Sequence, residues 1–173
     1  MLLSICIPNY NRVKYLNNCL HSILLAKSFS SLKFEICISD NGSKDDILSI
    51  INLYKKKGLK INFKRNRKNL GFGSNFYKVV KMAKGEFIWL IGNDDLLYTY
   101  ALKELEKLFN KNKDIDFFFI NSSSLNSKFV FKHKQPFNTK KIPKNLYNFS
   151  KIKKNKKTKF FNLINPSVSW DFM

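Results

Sequence analysis

Two carboxylates stand side by side at Asp94 and Asp95, directly after the apolar run Phe87-Ile88-Trp89-Leu90-Ile91. Like charges this close repel, so the end of a buried strand is a costly place for them unless a cation answers them. Read alone, the pair is a solvated turn whose acids complement the dipole of the helix that follows. Beside other polar loops, adjacent hard oxygen ligands suit Mg²⁺ or Mn²⁺, which is commonly held by one or two carboxylates together with phosphate oxygens. A cation so placed would neutralise a departing diphosphate.

Three further polar stretches precede that pair. "IPNYNR" at 7–12 offers Pro8 as a strand stop, Asn11 as a helix cap, and Tyr10 or Arg12 as groups that could meet a nucleotide. "ISDNGSKDD" places Asp40 and Asn41 at a strand end. An isolated acid there can accept from a ribose hydroxyl or a base N–H, and Asp-Asn-Gly-Ser is also a strong turn signal; the two readings are compatible. "NLGFGSN" carries Gly71 and Asn75 but lacks the third glycine of a dinucleotide fingerprint and the Gly-Lys-Ser/Thr of a P-loop. It still runs from a strand into a helix, where backbone N–H groups can approach an anion, although structural punctuation explains it equally well. Cys6, Cys19 and Cys37 form no C-x-x-C pair and read as small buried hydrophobes. With only His21 and His133 besides, zinc sites and histidine triads are poorly supported.

The elements that must position these loops alternate between two periodicities. Short apolar runs at 2–7, 34–39, 60–63, 86–91 and 116–120 read as strands. Between them the spacing predicts helices. The first, over 13–27, turns Val13, Leu16, Cys19, Leu20, Ile23 and Leu24 inward, and the second, from Ile47, stops before Gly58. A third turns Phe76, Tyr77, Val79, Val80 and Ala83 inward, and a fourth carries Leu102, Leu105, Leu108 and Phe109 behind a Thr99 cap. Strand–helix alternation with unbroken apolar strands predicts an α/β three-layer sandwich around a mostly parallel sheet. In such sheets ligands sit beyond the carboxyl ends of the strands, and every polar stretch above falls there.

At 173 residues, with 44% hydrophobic and 25% charged residues, the chain fits one globular domain. No apolar run is long enough to cross a bilayer, and "MLLSICIPNY" lacks the basic start of a signal peptide, so a cytoplasmic protein is expected. The net charge is +20. Residues 1–116 hold 20 Lys/Arg and 11 Asp/Glu, whereas 117–173 hold 12 Lys and one acid, Asp171. A surface so basic draws nucleic acid, anionic lipid or phosphorylated small molecules. A lysine- and asparagine-rich product of an AT-rich genome explains the same composition. No nucleic-acid motif appears, which ranks a nucleic-acid-binding protein as the weaker rival.

Together the segments resemble the nucleotide-binding half of family 2 glycosyltransferases, which have the GT-A fold. "SICIPNYNR", "EICISDNGSKDD", "NLGFGSN" and "AKGEFIWLIGNDD" follow that family's order and spacing across residues 3–95. The resemblance implies a nucleotide-diphosphate sugar donor, a divalent metal (Mn²⁺ or Mg²⁺), and inverting displacement by an acceptor hydroxyl of a glycan or lipid-linked acceptor in surface polysaccharide synthesis. On that analogy Asp40 would recognise the base, Pro8 would line the same pocket, Asp94 would approach the ribose or sugar, and Asp95 would hold the metal. Asn93 stands where the family commonly has an acid. Residues 1–122 would form the nucleotide-sugar-binding domain and 123–173 a Lys-rich acceptor-side segment of it, in peripheral contact with the inner face of the membrane. The family's catalytic base lies well past the metal motif, and the one acid in that region is Asp171. Four readings stay open: Asp171 as base, a chain cut short of its base, a base from elsewhere, or a donor-binding remnant without transfer.

Overall fold

A computed structural model describes residues 2–112, 116, 120, 122 and 124–142. Four parallel strands, β1 (Leu3–Asn9), β2 (Phe34–Asp40), β3 (Ile61–Arg65) and β4 (Phe87–Leu90), form one sheet in the order β3-β2-β1-β4. Helices α1 (Val13–Lys27), α2 (Ile47–Lys56), α3 (Phe72–Val80) and α4 (Ala101–Lys111) connect or follow them. The short α5 (Ser127–Phe131) and a 3₁₀ turn (Thr139–Lys141) come last.

Strand alternation decides the layering. Leu3, Ile5 and Ile7 of β1, with Ile36 and Ile38 of β2, face one side and join Leu16, Leu20 and Ile23 of α1, Ile51 of α2 and Leu105 of α4 in the main core. Cys6 and Cys37 face the other side, against Val79 and Met82. The result is helix–sheet–helix, as the apolar runs predict. Fully burying an Ile or Leu contributes about 1.5–3 kcal/mol, so these two faces dominate the stability of the domain. All three cysteines are buried and free, as expected of small apolar residues.

Several local expectations are corrected. Pro8 does not stop β1, which runs on to Asn9. Along β1 the main-chain groups of even-numbered residues face β4 (the Cys6 carbonyl accepts from Ile91 N–H) and those of odd-numbered residues face β2 (the Asn9 carbonyl accepts from Asn41 N–H). The missing N–H of Pro8 therefore points past the end of β4 at Leu90, where no ladder bond is lost. Asn11 does not cap α1, and Thr99 does not cap α4; the N-cap positions are Arg12 and Tyr100, and neither makes a side-chain cap bond. Tyr77 is not inward. Asn75 and Val79 form the buried line of α3, which leaves Tyr77 on the solvent side, 62% exposed.

Gly85 has a specific reason to be glycine. A Cβ there would stand 2.6 Å from the backbone nitrogen of Ser4, so the chain entering β4 can lie against β1 only without a side chain. Of the fifth strand expected over 116–120, residues 117–119 lie outside the described residues, as do Asp171 and the chain from 143 onward. No helix among the described residues is long and apolar enough to cross a membrane.

Candidate donor-binding site

The strand order places a topological switch between β1 and β4. From β1 the chain crosses to β2 and β3 on one side, then returns to β4 on the other. The strand order reverses there, and the carboxyl ends of β1 and β4, whose helices α1 and α4 pack on the same face of the sheet, form the candidate crevice, since doubly wound sheets bind ligands at such ends. Asn9 and Asn93 flank that crevice, and both are buried. Asn93 Nδ2 donates to Asn9 Oδ1 at 2.7 Å.

Beneath the crevice lies a buried polar platform centred on Asp40, whose side chain is fully enclosed. Its carboxylate accepts from Asn9 Nδ2 (3.0 Å), from the Ser43 N–H (3.2 Å) and hydroxyl, and from Arg65 Nε (2.7 Å). Asp40 is thus not the isolated acid its place at a strand end implies; its acceptor positions are occupied by β1, β3 and its own turn. Asn41 likewise works inward. Its Oδ1 accepts from Asn66 Nδ2 and Leu70 N–H, while its Nδ2 donates to Asn69 Oδ1 and to the Gly71 carbonyl, which fixes the glycine loop. Asn75, on the first turn of α3, accepts from Ser39 Oγ and Asn66 Nδ2 and donates to the Ser39 carbonyl. Buried polar groups satisfied in this way make a rigid floor, because each unmade bond would cost the desolvation of its donor.

The loop after β1 is tied to the loop after β2. Asn11, at φ 49°, donates its N–H to Ser43 Oγ and accepts from Lys44 N–H. Asp45 Oδ2 accepts from Val13 N–H at 2.8 Å, so the cap that α1 lacks in its own sequence comes from across the site. Tyr10 is left 42% exposed above this junction and Pro8 half-buried in the strand below.

At the tip of β4 the two acids part company. Asp94 Oδ2 meets Arg12 Nη1 at 2.7 Å, with both side chains about half-exposed. Asp95 accepts from the Gly92 N–H at 2.7 Å. Partial desolvation, reinforced by the Asp94 charge, raises the Asp95 carboxyl above the ordinary carboxylate range, against the lowering effect of the Gly92 bond. A carboxylate held in this condition gains from a nearby cation. No cluster of three ligating side chains exists among the described residues. The side chains that could serve a cation here are the two carboxylates, oxygen donors of the type that hard divalent ions take. A cavity of about 640 Å³ opens on the α4 side of the pair, lined by Tyr15, Asn18, Trp89 and Tyr98 as well as by the two acids.

The fold thus brings Pro8, Tyr10, Asn11, Arg12, Asp40, Asn41, Gly71, Asn75, Asn93, Asp94 and Asp95 to one edge of the sheet, while Asp171 lies outside the described residues. Sequence reasoning missed Asn9, Ser43, Asp45, Arg65 and Asn66. The signal for Asn9 and Arg65 was their place as the last residues of apolar strands, and for Asp45 its place in an acid-rich turn ahead of a helix.

The family model for glycosyl transferase family 2 matches residues 4–171. The chain belongs to glycosyl transferase family 2. Abequosyltransferase RfbV of Salmonella typhimurium is 40% identical over 116 residues, which cover 66% of this chain and 34% of that protein. The crystal structure of Staphylococcus aureus TarS residues 1–349 in complex with UDP superimposes with a TM-score of 0.59 at 27% identity, covering 65% of this chain and 33% of that one. A mannosyltransferase from Pyrobaculum calidifontis, solved with GDP-Man and Mn²⁺, matches with a TM-score of 0.55 over 65% of this chain and 32% of its own. At 18% identity it speaks for the fold alone. The chain spans about a third of the length of abequosyltransferase RfbV, of the 1–349 portion of TarS and of the mannosyltransferase, and 18% of full-length TarS.

Proposed function

We propose that this family 2 glycosyltransferase domain binds a nucleotide-diphosphate sugar in the crevice between the β1 and β4 loops and serves inverting transfer of the sugar to a glycan or lipid-linked hydroxyl. The observation that carries the reading is the meeting, at one switch point, of the Asn9–Asn93 bond, the Arg12–Asp94 pair and the Asp95 carboxylate. Asp95, with Asp94 beside it, would hold Mn²⁺ or Mg²⁺, and the ion would supply charge neutralisation for the departing diphosphate.

The chain's own residues do the rest. The Asp40–Asn9–Arg65 platform holds the two loops in register and excludes water from below. Tyr10 offers an exposed ring face beside the crevice, suited to a base. Arg12 is the mobile cation: its bond to Asp94 is exposed and worth at most about 1 kcal/mol, so it can turn to a phosphate oxygen at little cost. The cavity on the α4 side of the acids, with Trp89 and Tyr98 in its wall, is of a size and lining that suit a sugar acceptor. In the transfer itself the acceptor oxygen forms its bond to the anomeric carbon as the bond to the diphosphate oxygen breaks, and the acceptor proton leaves to a base. Asp171 is the candidate within the chain. Donor binding without transfer is the narrower reading, since among the described residues no acid follows Asp116.

A thermal-shift panel of UDP- and GDP-sugars with and without Mn²⁺, run on wild type and Asp95→Ala, tests the proposal. A donor at a hundred times its Kd stabilises the fold by about 2.7 kcal/mol. Stabilisation that needs Mn²⁺ and is lost in Asp95→Ala is expected. If no nucleotide shifts the wild type, the site is misassigned; a shift without transfer to any acceptor selects the narrower reading.

A further inference from the structure

We propose that the side of the molecule built from α2, β3 and α3 is a docking surface for an anionic lipid bilayer. The first observation is charge. From Ile47 to Gly85 the chain carries 11 Lys/Arg and no Asp or Glu. Enrichment in lysine through base composition would add cations everywhere, but it would not clear the acids from one stretch of this length.

The fold turns that stretch into one continuous side. β3 is an edge of the sheet; α2 packs beside it on one face, and on the other face α3 lies over β1 and β2 and is tied to the β3 edge through Asn62 and Asn66. Every lysine and arginine of the stretch is exposed. Arg65 is the one member whose side chain is ion-paired with a carboxylate among the described residues, through Asp40, and Lys78 bonds the amide of Asn66. Of the described acids, Asp46 at the N-cap of α2 borders this side and Glu35 is buried in β2; the others lie in the site loops, at Glu86, on α4 and at Asp116.

The second observation is apolar. Phe72, at 71%, and Tyr77, at 62%, are the most exposed large hydrophobic side chains among the described residues, and both belong to α3. Lys81 sits one turn on, with its Nζ 5.3 Å from the Tyr77 ring centroid. Phe72 stands at the start of α3, on the same carboxyl edge of the sheet as the donor crevice, and has no polar atom to justify its exposure to water. Aromatic rings flanked by lysines are the side chains that bilayer interfaces hold, the rings at headgroup depth and the cations against anionic lipid. Nucleic acid is the less suited partner, because the charges are spread over a sheet edge and two helices on opposite faces of the sheet, with no aromatic-lined groove between them among the described residues. A second copy is disfavoured by the charge of the surface itself. A bilayer here would lie beside the crevice, within reach of a lipid-linked acceptor. The inference does not require that donor binding be right.

The test is co-sedimentation of the full chain with vesicles of phosphatidylcholine alone and of phosphatidylcholine with phosphatidylglycerol. Wild type, Lys64→Glu/Lys68→Glu/Lys81→Glu, Phe72→Ser/Tyr77→Ser and Lys128→Glu/Lys132→Glu/Lys134→Glu are compared, the last removing equal charge from the α5 region. Each cation near an anionic surface is worth about fivefold in partition, so the first triple variant should lose at least roughly 100-fold. Loss of the two rings should lower binding roughly tenfold. The α5 variant should bind within a few-fold of wild type. All substituted side chains are on the surface, and melting midpoints and donor-induced shifts, read on the same samples, should stay at wild-type values. The proposal is overturned by failure of wild type to bind phosphatidylglycerol vesicles, by equal loss in the α5 variant, or by tighter binding to random-sequence duplex DNA than to the vesicles.

Discussion

Asp40→Ala distinguishes a platform from a ligand contact. The carboxylate is fully buried and receives bonds from Asn9, Ser43 and Arg65. Removing one partner of a buried ion pair costs about 3–5 kcal/mol. The Arg65 side chain is 36% exposed and regains part of its hydration, which lowers the expected loss to about 2–4 kcal/mol. Urea unfolding of the ligand-free protein, followed by far-UV circular dichroism, should place the midpoint roughly 1–2 M below wild type at an ordinary slope. Arg65→Met should also destabilise, because it leaves a buried carboxylate without its counter-charge. The double variant should lose less than the sum of the singles, with a coupling of about 1–3 kcal/mol. If Asp40→Ala left the ligand-free stability within about 0.5 kcal/mol of wild type while abolishing nucleotide binding, Asp40 would be a free recognition group and the platform would be wrong.

Asp45→Ala removes the acceptor for Val13 N–H at the start of α1 and should cost about 1 kcal/mol in the same urea assay, whereas Asn11→Ala should leave that helix start intact. Gly85→Ala forces a Cβ to within 2.6 Å of the Ser4 backbone and should cost about 1–3 kcal/mol or more, measured as a fall in melting midpoint. His21 is held below its ordinary pKa by burial, then by Lys57, so its neutral form is the folded one. The unfolded chain therefore takes up the proton first, and stability should fall as pH drops through about 6.5, by at most about 1.4 kcal/mol per pH unit. His21→Gln should flatten melting midpoint against pH in that window, and an unchanged slope would place the titration elsewhere.

The layers of this fold were legible because they depend on local periodicity. Leu16, Cys19, Leu20 and Ile23 mark the inner face of α1 by spacing alone, and the apolar runs mark four buried strands. What was hidden depends on partners distant in sequence. The cap of α1 comes from Asp45, 32 positions away, whereas the local sequence offers Asn11, whose side chain instead bonds Lys44. Tyr77 reads as core in an apolar helix, yet the inward line is set by Asn75, whose burial no hydrophobic pattern can announce. The candidate site was visible as four polar strand ends, but not as a network. Asp40 looks like an unpartnered acid until Arg65 arrives from β3, 25 positions on.

That network also accounts for the asparagine at 93, where an acid is common in the family. Asp40 is a carboxylate with acceptor oxygens only, so Asn9 must turn its Nδ2 toward it, as it does at 3.0 Å. The other end of the Asn9 amide, Oδ1, then faces the crevice and needs a donor. Asn93 supplies one at 2.7 Å, in a place that is nearly closed to water. An ionised aspartate at 93 would set oxygen against oxygen there and bury a third negative charge beside Asp94 and Asp95. The residue in the loop after β4 is thus set by the acid at the end of β2, relayed through the amide at the end of β1. The two carboxylates that remain are the two left accessible at the mouth of the crevice, one in the company of Arg12 and the other desolvated enough to favour a cation. Charge at this edge is divided by position: the buried share is spent on holding the strand ends together, and the exposed share is left for whatever enters.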